Sequence, residues 1–152
     1  MMRLAFLPLT CLALGACGTL RVPDDRPQVG VNYQFERRHA CGDGPYKMAM
    51  ARLSRSSPRL ELTQLPPQTR VVKVEMVDLD LLSFDHGGGE ATVAQGGSAT
   101  LPEGALKAWS GPCPPTGADH RYEMRVEARD AQGKSLASGK QVRTCCKQFE
   151  AR

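Results

Sequence analysis

Charged and apolar residues alternate without interruption along HRYEMRVEARD, where Tyr122, Met124, Val126 and Ala128 fall on one side and Arg121, Glu123, Arg125, Glu127 and Arg129 on the other. A period of two is that of a strand with one face in a core and one in water. DAQGKS follows as a hairpin turn, with Gly133 free to take positive φ, and SLASGKQVRT returns as the partner strand. RVVKVEMVDLDLL repeats the pattern, placing Val72, Val74 and Met76 on one face against Val71, Lys73, Glu75 and Val77. RLELTQLPPQT offers Leu60 and Leu62 on one face before Pro66 and Pro67 end it, and PYKMAMARL alternates Tyr46, Met48 and Met50 with Lys47 and Ala49. The six glycines between Ser83 and Trp109 exclude a helix interior and predict loops with short strands, and ALKAW has room for a single helical turn. No segment sustains a 3.6 period, so the architecture is mainly β.

The ends of the chain change that picture. MMRLAFLPLTCLALGAC carries Arg3 and then an apolar run too short to span a membrane comfortably, which reads as a signal peptide over residues 1–16. LGAC resembles the lipobox of bacterial lipoproteins, which predicts cleavage before Cys17 and acylation of that cysteine. Several acyl chains hold a protein stably where one does not, so Cys17 is the expected membrane anchor. Cleavage near Ala13 or Ala16, without lipidation, is the alternative. Gly18 stands where an aspartate would signal inner-membrane retention, so the expected location is the cell envelope, in the outer membrane facing the periplasm. Residues 17–32, with two prolines and no apolar period, read as a tether, and the domain is expected over 33–152.

Composition narrows the function classes. Aromatics are 5% of the chain, which argues against an aromatic-lined pocket for a flavin or haem, and no cofactor is expected. The formal charge of +4 is spread among interleaved acids and bases, unlike a nucleic-acid footprint. With Cys11 in the signal and Cys17 lipidated, Cys41, Cys113, Cys145 and Cys146 remain, an even number for an oxidising compartment. Adjacent cysteines seldom bond to each other, so Cys145 and Cys146 are expected to pair with Cys41 and Cys113 in either combination. No CxxC or HxxxH spacing supports a metal site.

Candidate chemistry gathers where strands end. Asp78 and Asp80 are two residues apart and so share a strand face, where two carboxylates repel unless a cation or donor sits between them; His86 and His120 are the candidates. Gly87, Gly88 and Gly89 can turn their N–H groups to one point as an anion-binding nest. GPCPPTGADH stiffens the approach to His120 with prolines that bring no N–H of their own. These residues suit a small polar site for a phosphate or carboxylate, while ordinary turns and a structural histidine would use the same residue types.

MVDLD, DHGGG and GALKAWSGPCPPTGADHRYEMRVEARDAQGKSLASG together resemble the phosphatidylethanolamine-binding protein family, also called Raf kinase inhibitor-like proteins, and its short bacterial secreted members in particular. The resemblance covers about Pro58 to Gly139. It implies an antiparallel Greek-key β-sandwich with an anion pocket walled by Asp78, Asp80, His86, Gly111, Pro112, His120 and Tyr122. Leu79 and Leu82 stand where the family often has prolines, Asp85 replaces a tryptophan, and Asp119 adds a negative charge before His120. The expectation is a non-catalytic, membrane-anchored binding domain for a small anionic or phosphorylated ligand. The alternative is a structural or interaction β-sandwich lipoprotein whose pocket is vestigial, and a weaker one is a hydrolase with Asp78 as base.

Overall fold

A computed structural model describes residues 25–41, 56–94 and 96–149. The signal peptide, Cys17 and the proposed strand around Tyr46 to Met50 lie outside the described residues. These residues form two antiparallel sheets around one core. Strands β1 (Gly30–Tyr33), β2 (Leu60–Leu65) and β5 (Gly97–Leu101) make a three-stranded sheet in the order β1-β2-β5. Strands β3 (Val71–Asp78), β4 (Asp85–Thr92), β6 (Ala108–Trp109), β7 (His120–Arg129) and β8 (Ser135–Cys145) make the second, in the order β6-β4-β3-β7-β8. The chain leaves the larger sheet after β4, adds β5 to the smaller one, and returns as β6 beside β4.

Strands β3 and β7 form where the period-two pattern is strongest. Val72, Val74 and Met76 of β3, and Tyr122, Met124, Val126 and Ala128 of β7, are each 2% exposed or less. They close on Leu60, Leu62, Leu65 and Leu101 of the smaller sheet in a single cluster. Burying a side chain of this size contributes roughly 1.5–3 kcal/mol, so these two rows dominate the core. β7 and β8 form the expected hairpin, its turn held by the Asp130 carboxylate accepting from the N–H groups of Gln132 and Lys134. One outward residue departs from the alternation. Glu123 is buried, its carboxylate taken by Arg125 at 2.7 Å and Lys140 at 3.1 Å.

Three expectations are corrected. Asp85–Thr92 is an eight-residue strand, so the triple glycine is no loop. Gly87 and Gly88 pair with Trp109 and Ala108, and Gly88 and Gly89 with Glu75 and Val74. A Cβ on Gly88 would land on the Val74 carbonyl, and one on Gly87, at φ 67°, on that of Ala108. The glycines serve close strand packing there, which removes the proposed nest. ALKAW ends in β6 and contains no helical turn. The tether does not reach residue 32: Val29 donates to the Ser138 carbonyl at the edge of β8, and the chain then enters the smaller sheet as β1. Val29 and Tyr33 are buried, which drives that crossing despite the neighbouring prolines. Among the described residues, helix is confined to two 3₁₀ turns, Arg37–His39 and Lys147–Phe149, and none is long and apolar enough to cross a membrane.

The disulfide expectation is also overturned. Cys41 bonds to Cys113, and Cys145 bonds to its neighbour Cys146. The Cys41 N–H donates to the Pro112 carbonyl at 3.0 Å, which docks this segment beside Cys113 and leaves the two tail cysteines to each other.

Candidate functional site

Sheet register brings the chemistry together. Asp78, the last residue of β3, lies opposite Tyr122 of β7, and Val77 beside it pairs with Asp85, which places His86 next in β4. His120 precedes Tyr122 by two residues and therefore shares its face. Asp78, His86, His120 and Tyr122, distant in sequence, thus meet at one end of the larger sheet.

Asp78 is the centre of this cluster and is 2% exposed. Its Oδ1 accepts from the N–H groups of Asp80 at 2.9 Å and Leu81 at 3.1 Å, in a turn its own side chain closes. Its Oδ2 lies 2.7 Å from Nδ1 of His120 and 3.8 Å from Nε2 of His86. Because a carboxylate accepts, the His120 nitrogen facing it carries the proton, and Nε2 of His120 is left for another partner. The His120 side chain is 15% exposed, which makes it the cluster's opening to solvent.

His86 is fixed from the other side. Its Nδ1 donates to the Ser110 carbonyl at 2.9 Å, and the Ser110 N–H donates back to the His86 carbonyl. Burial lowers its pKa below the ordinary value, against the opposing pull of the Ser110 carbonyl and Asp78. The neutral ring then turns a lone pair toward Asp78. Rings enclose it: Phe84 lies 4.5 Å away and Tyr122 5.3 Å away, edge-on. The Tyr122 hydroxyl is buried and reaches toward Asp78 and the Cys113 backbone without hydrogen-bond geometry to either. Burial, reinforced by Asp78, raises its pKa, so it remains a protonated donor.

Asp80 does not join the cluster. Arg121 holds it through two guanidinium nitrogens and its backbone N–H, and lowers its pKa to about 2. The expected repulsion between two aspartates is therefore relieved by separation: one carboxylate faces the core, the other the surface. Gly111 and Pro112 are buried behind His86, and the Cys41–Cys113 disulfide ties this wall to the N-terminal segment. Sequence reasoning missed Ser110, Phe84 and Tyr33, whose hydroxyl donates to the Tyr122 carbonyl at 2.8 Å. Ser110 acts through its carbonyl and Phe84 through its ring face, neither of which leaves a motif. Among the described residues no group of three or more His, Cys, Asp or Glu is arranged to hold a metal ion.

No protein-family model and no curated protein matches the chain. Among solved structures, it is similar to the crystal structure of a putative phosphatidylethanolamine-binding protein homologue from Chlamydia trachomatis, with a TM-score of 0.47 and 18% identity, covering 78% of this chain and 97% of that one.

Proposed function

We propose that this protein is a non-catalytic binding domain of the cell envelope, anchored through Cys17, that takes a small anionic or phosphorylated ligand at the opening beside His120. The resemblance of its sequence motifs to phosphatidylethanolamine-binding proteins suggests the ligand class. The observation that carries the reading is the buried Tyr122 hydroxyl, which makes no hydrogen bond of good geometry among the described residues, beside an imidazole that Asp78 orients outward. A ligand oxygen accepting from Tyr122 and from protonated His120 would complete both. The Asp78 charge opposes an anion, so binding strengthens as the imidazoles take up protons. Binding without turnover is favoured because the polar groups hold one another: Asp78 by two N–H groups and His120, His86 by Ser110.

One observation favours a second reading. Asp78, His86 and Tyr122 are each 2% exposed or less, as in a polar cluster that only builds the core of a structural or interaction lipoprotein. Titration of the imidazole resonances of His86 and His120 with phosphate, phosphoethanolamine and acetate, at pH 5.5 and 7.5, separates the two. Both signals should move together and saturate with one of these anions, more tightly at pH 5.5. If neither moves with any of them, the binding function is lost and the structural reading stands.

A further inference from the structure

The smaller sheet borders a cavity of about 460 Å³, lined in part by Tyr33, His39, Arg59, Glu61 and Glu103 and by none of the Asp78 cluster. His39, in the turn Arg37–His39, is 2% exposed. Its Nδ1 accepts the Glu36 N–H at 2.9 Å, and a ring nitrogen that accepts carries no proton. The neutral ring therefore bears its proton on Nε2. Burial lowers the pKa of His39, Glu103 opposing, so this neutral form is the one present near pH 7.

Nε2–H is thus a buried donor, and among the described residues it lacks a hydrogen bond of good geometry. The Glu103 Oε1 that faces it lies 3.4 Å away and already accepts from Arg38 at 2.8 Å. Leaving such a donor unmet is costly, and native structures keep few of them without a reason. The cavity that His39 lines offers one. Arg38 is committed to Glu36 and Glu103, while among the described residues Arg59 has a 3.5 Å contact with Glu61 and no closer ion pair.

These groups select a ligand by elimination. An anion would meet the carboxylates of Glu36, Glu61 and Glu103. An ammonium, which only donates, would leave Nε2–H unmet. A hydroxyl accepts from His39 and donates to Glu103 with a single oxygen, and a neighbouring hydroxyl can do the same between Arg59 and Glu61. We propose that this cavity is a second binding site, for an uncharged polyhydroxylated ligand such as a saccharide unit, with His39 Nε2–H and the Glu103 carboxylate as its central pair.

The test is an NMR titration of the full chain, isotopically labelled at histidine, with D-glucose and N-acetyl-D-glucosamine, and with sodium acetate and methylammonium chloride as comparisons. A sugar should move the His39 Cε1–H resonance saturably while those of His86 and His120 stay, and neither salt should reproduce the shift. Glu103→Gln and Arg59→Ala should each weaken the sugar by about tenfold, the loss of one charge-assisted hydrogen bond. Arg59 is well exposed, so its variant carries the test even if Glu103→Gln perturbs the fold. The proposal is overturned if neither sugar moves His39, if acetate or methylammonium moves it equally, or if Arg59→Ala binds sugar as the native chain does.

Discussion

Asp78 decides how His120 presents itself. In the native pair the carboxylate accepts from Nδ1–H, so a neutral His120 ring presents a ligand with its lone pair at Nε2. Asp78→Asn keeps an oxygen for the Asp80 and Leu81 N–H groups and turns an amide N–H toward the ring. His120 then adopts the other tautomer, with Nε2–H outward, and the buried charge is gone. Removal of a like charge a few ångströms from the ligand predicts phosphate binding at pH 7.5 about tenfold tighter in Asp78→Asn, measured by calorimetry. Weaker binding would mean that the native carboxylate is itself a contact for the ligand. Asp80→Asn should change that affinity little, because its partner is Arg121 and it lies outside the cluster. His86 and His39 make a separate prediction about stability. Both have folded pKa values below the unfolded value of about 6.5, so the unfolded chain binds more protons across that window and stability falls as pH falls below 6.5. Urea unfolding at pH 7.5 and 5.5 should show a lower midpoint at 5.5, and saturating phosphate should shrink the difference if the bound state takes up protons. An unchanged midpoint would mean these imidazoles are charged in the folded protein.

At the scale of elements, β4 is the strand whose sequence gives least sign of it and whose packing is least forgiving. Gly88 sits between Glu75 of β3 and Ala108 of β6, and a methyl group there meets the Val74 carbonyl. Gly88→Ala is expected to cost about 1–3 kcal/mol through forced backbone shifts, read as a fall in Tm, and to displace His86 two residues away. A Tm within a degree of the native value would show that β3 and β4 can separate without loss. β3 and β7 were legible because their apolar rows repeat every second residue, and the mainly antiparallel β architecture followed from them. β4 was not, because glycines carry no hydrophobic signal, and β1 was not, because Val29 and Tyr33 stand among prolines and a glycine that read as a tether. Of the candidate site, the meeting of Asp78, His86, His120 and Tyr122 was implied by the family resemblance of the motifs that carry them. The departure of Asp80 was not, since it depends on Arg121 taking its carboxylate across the strand pair.

Across the whole molecule, the two disulfides differ most in the length of chain they close. Cys41 and Cys113 are 72 residues apart, and their bond joins the N-terminal segment to the wall behind His86. Chain-entropy reasoning assigns such a loop about 4 kcal/mol of stabilisation, less any strain. Cys145 and Cys146 are adjacent, so their bond closes no loop and contributes nothing by that route. The cross pairings expected from sequence would instead have fixed the tail to two distant points, and each would have closed a long loop. Replacing Cys41 and Cys113 together by Ala should therefore lower stability by up to about 4 kcal/mol, while Cys145→Ser with Cys146→Ser should lose only what repacking two buried side chains costs. Non-reducing peptide mapping distinguishes the arrangements directly: one fragment should join the regions of Cys41 and Cys113, and the tail peptide should run free of both. A tail peptide linked to either region would make the two losses similar, because each double replacement would then break the same cross-links.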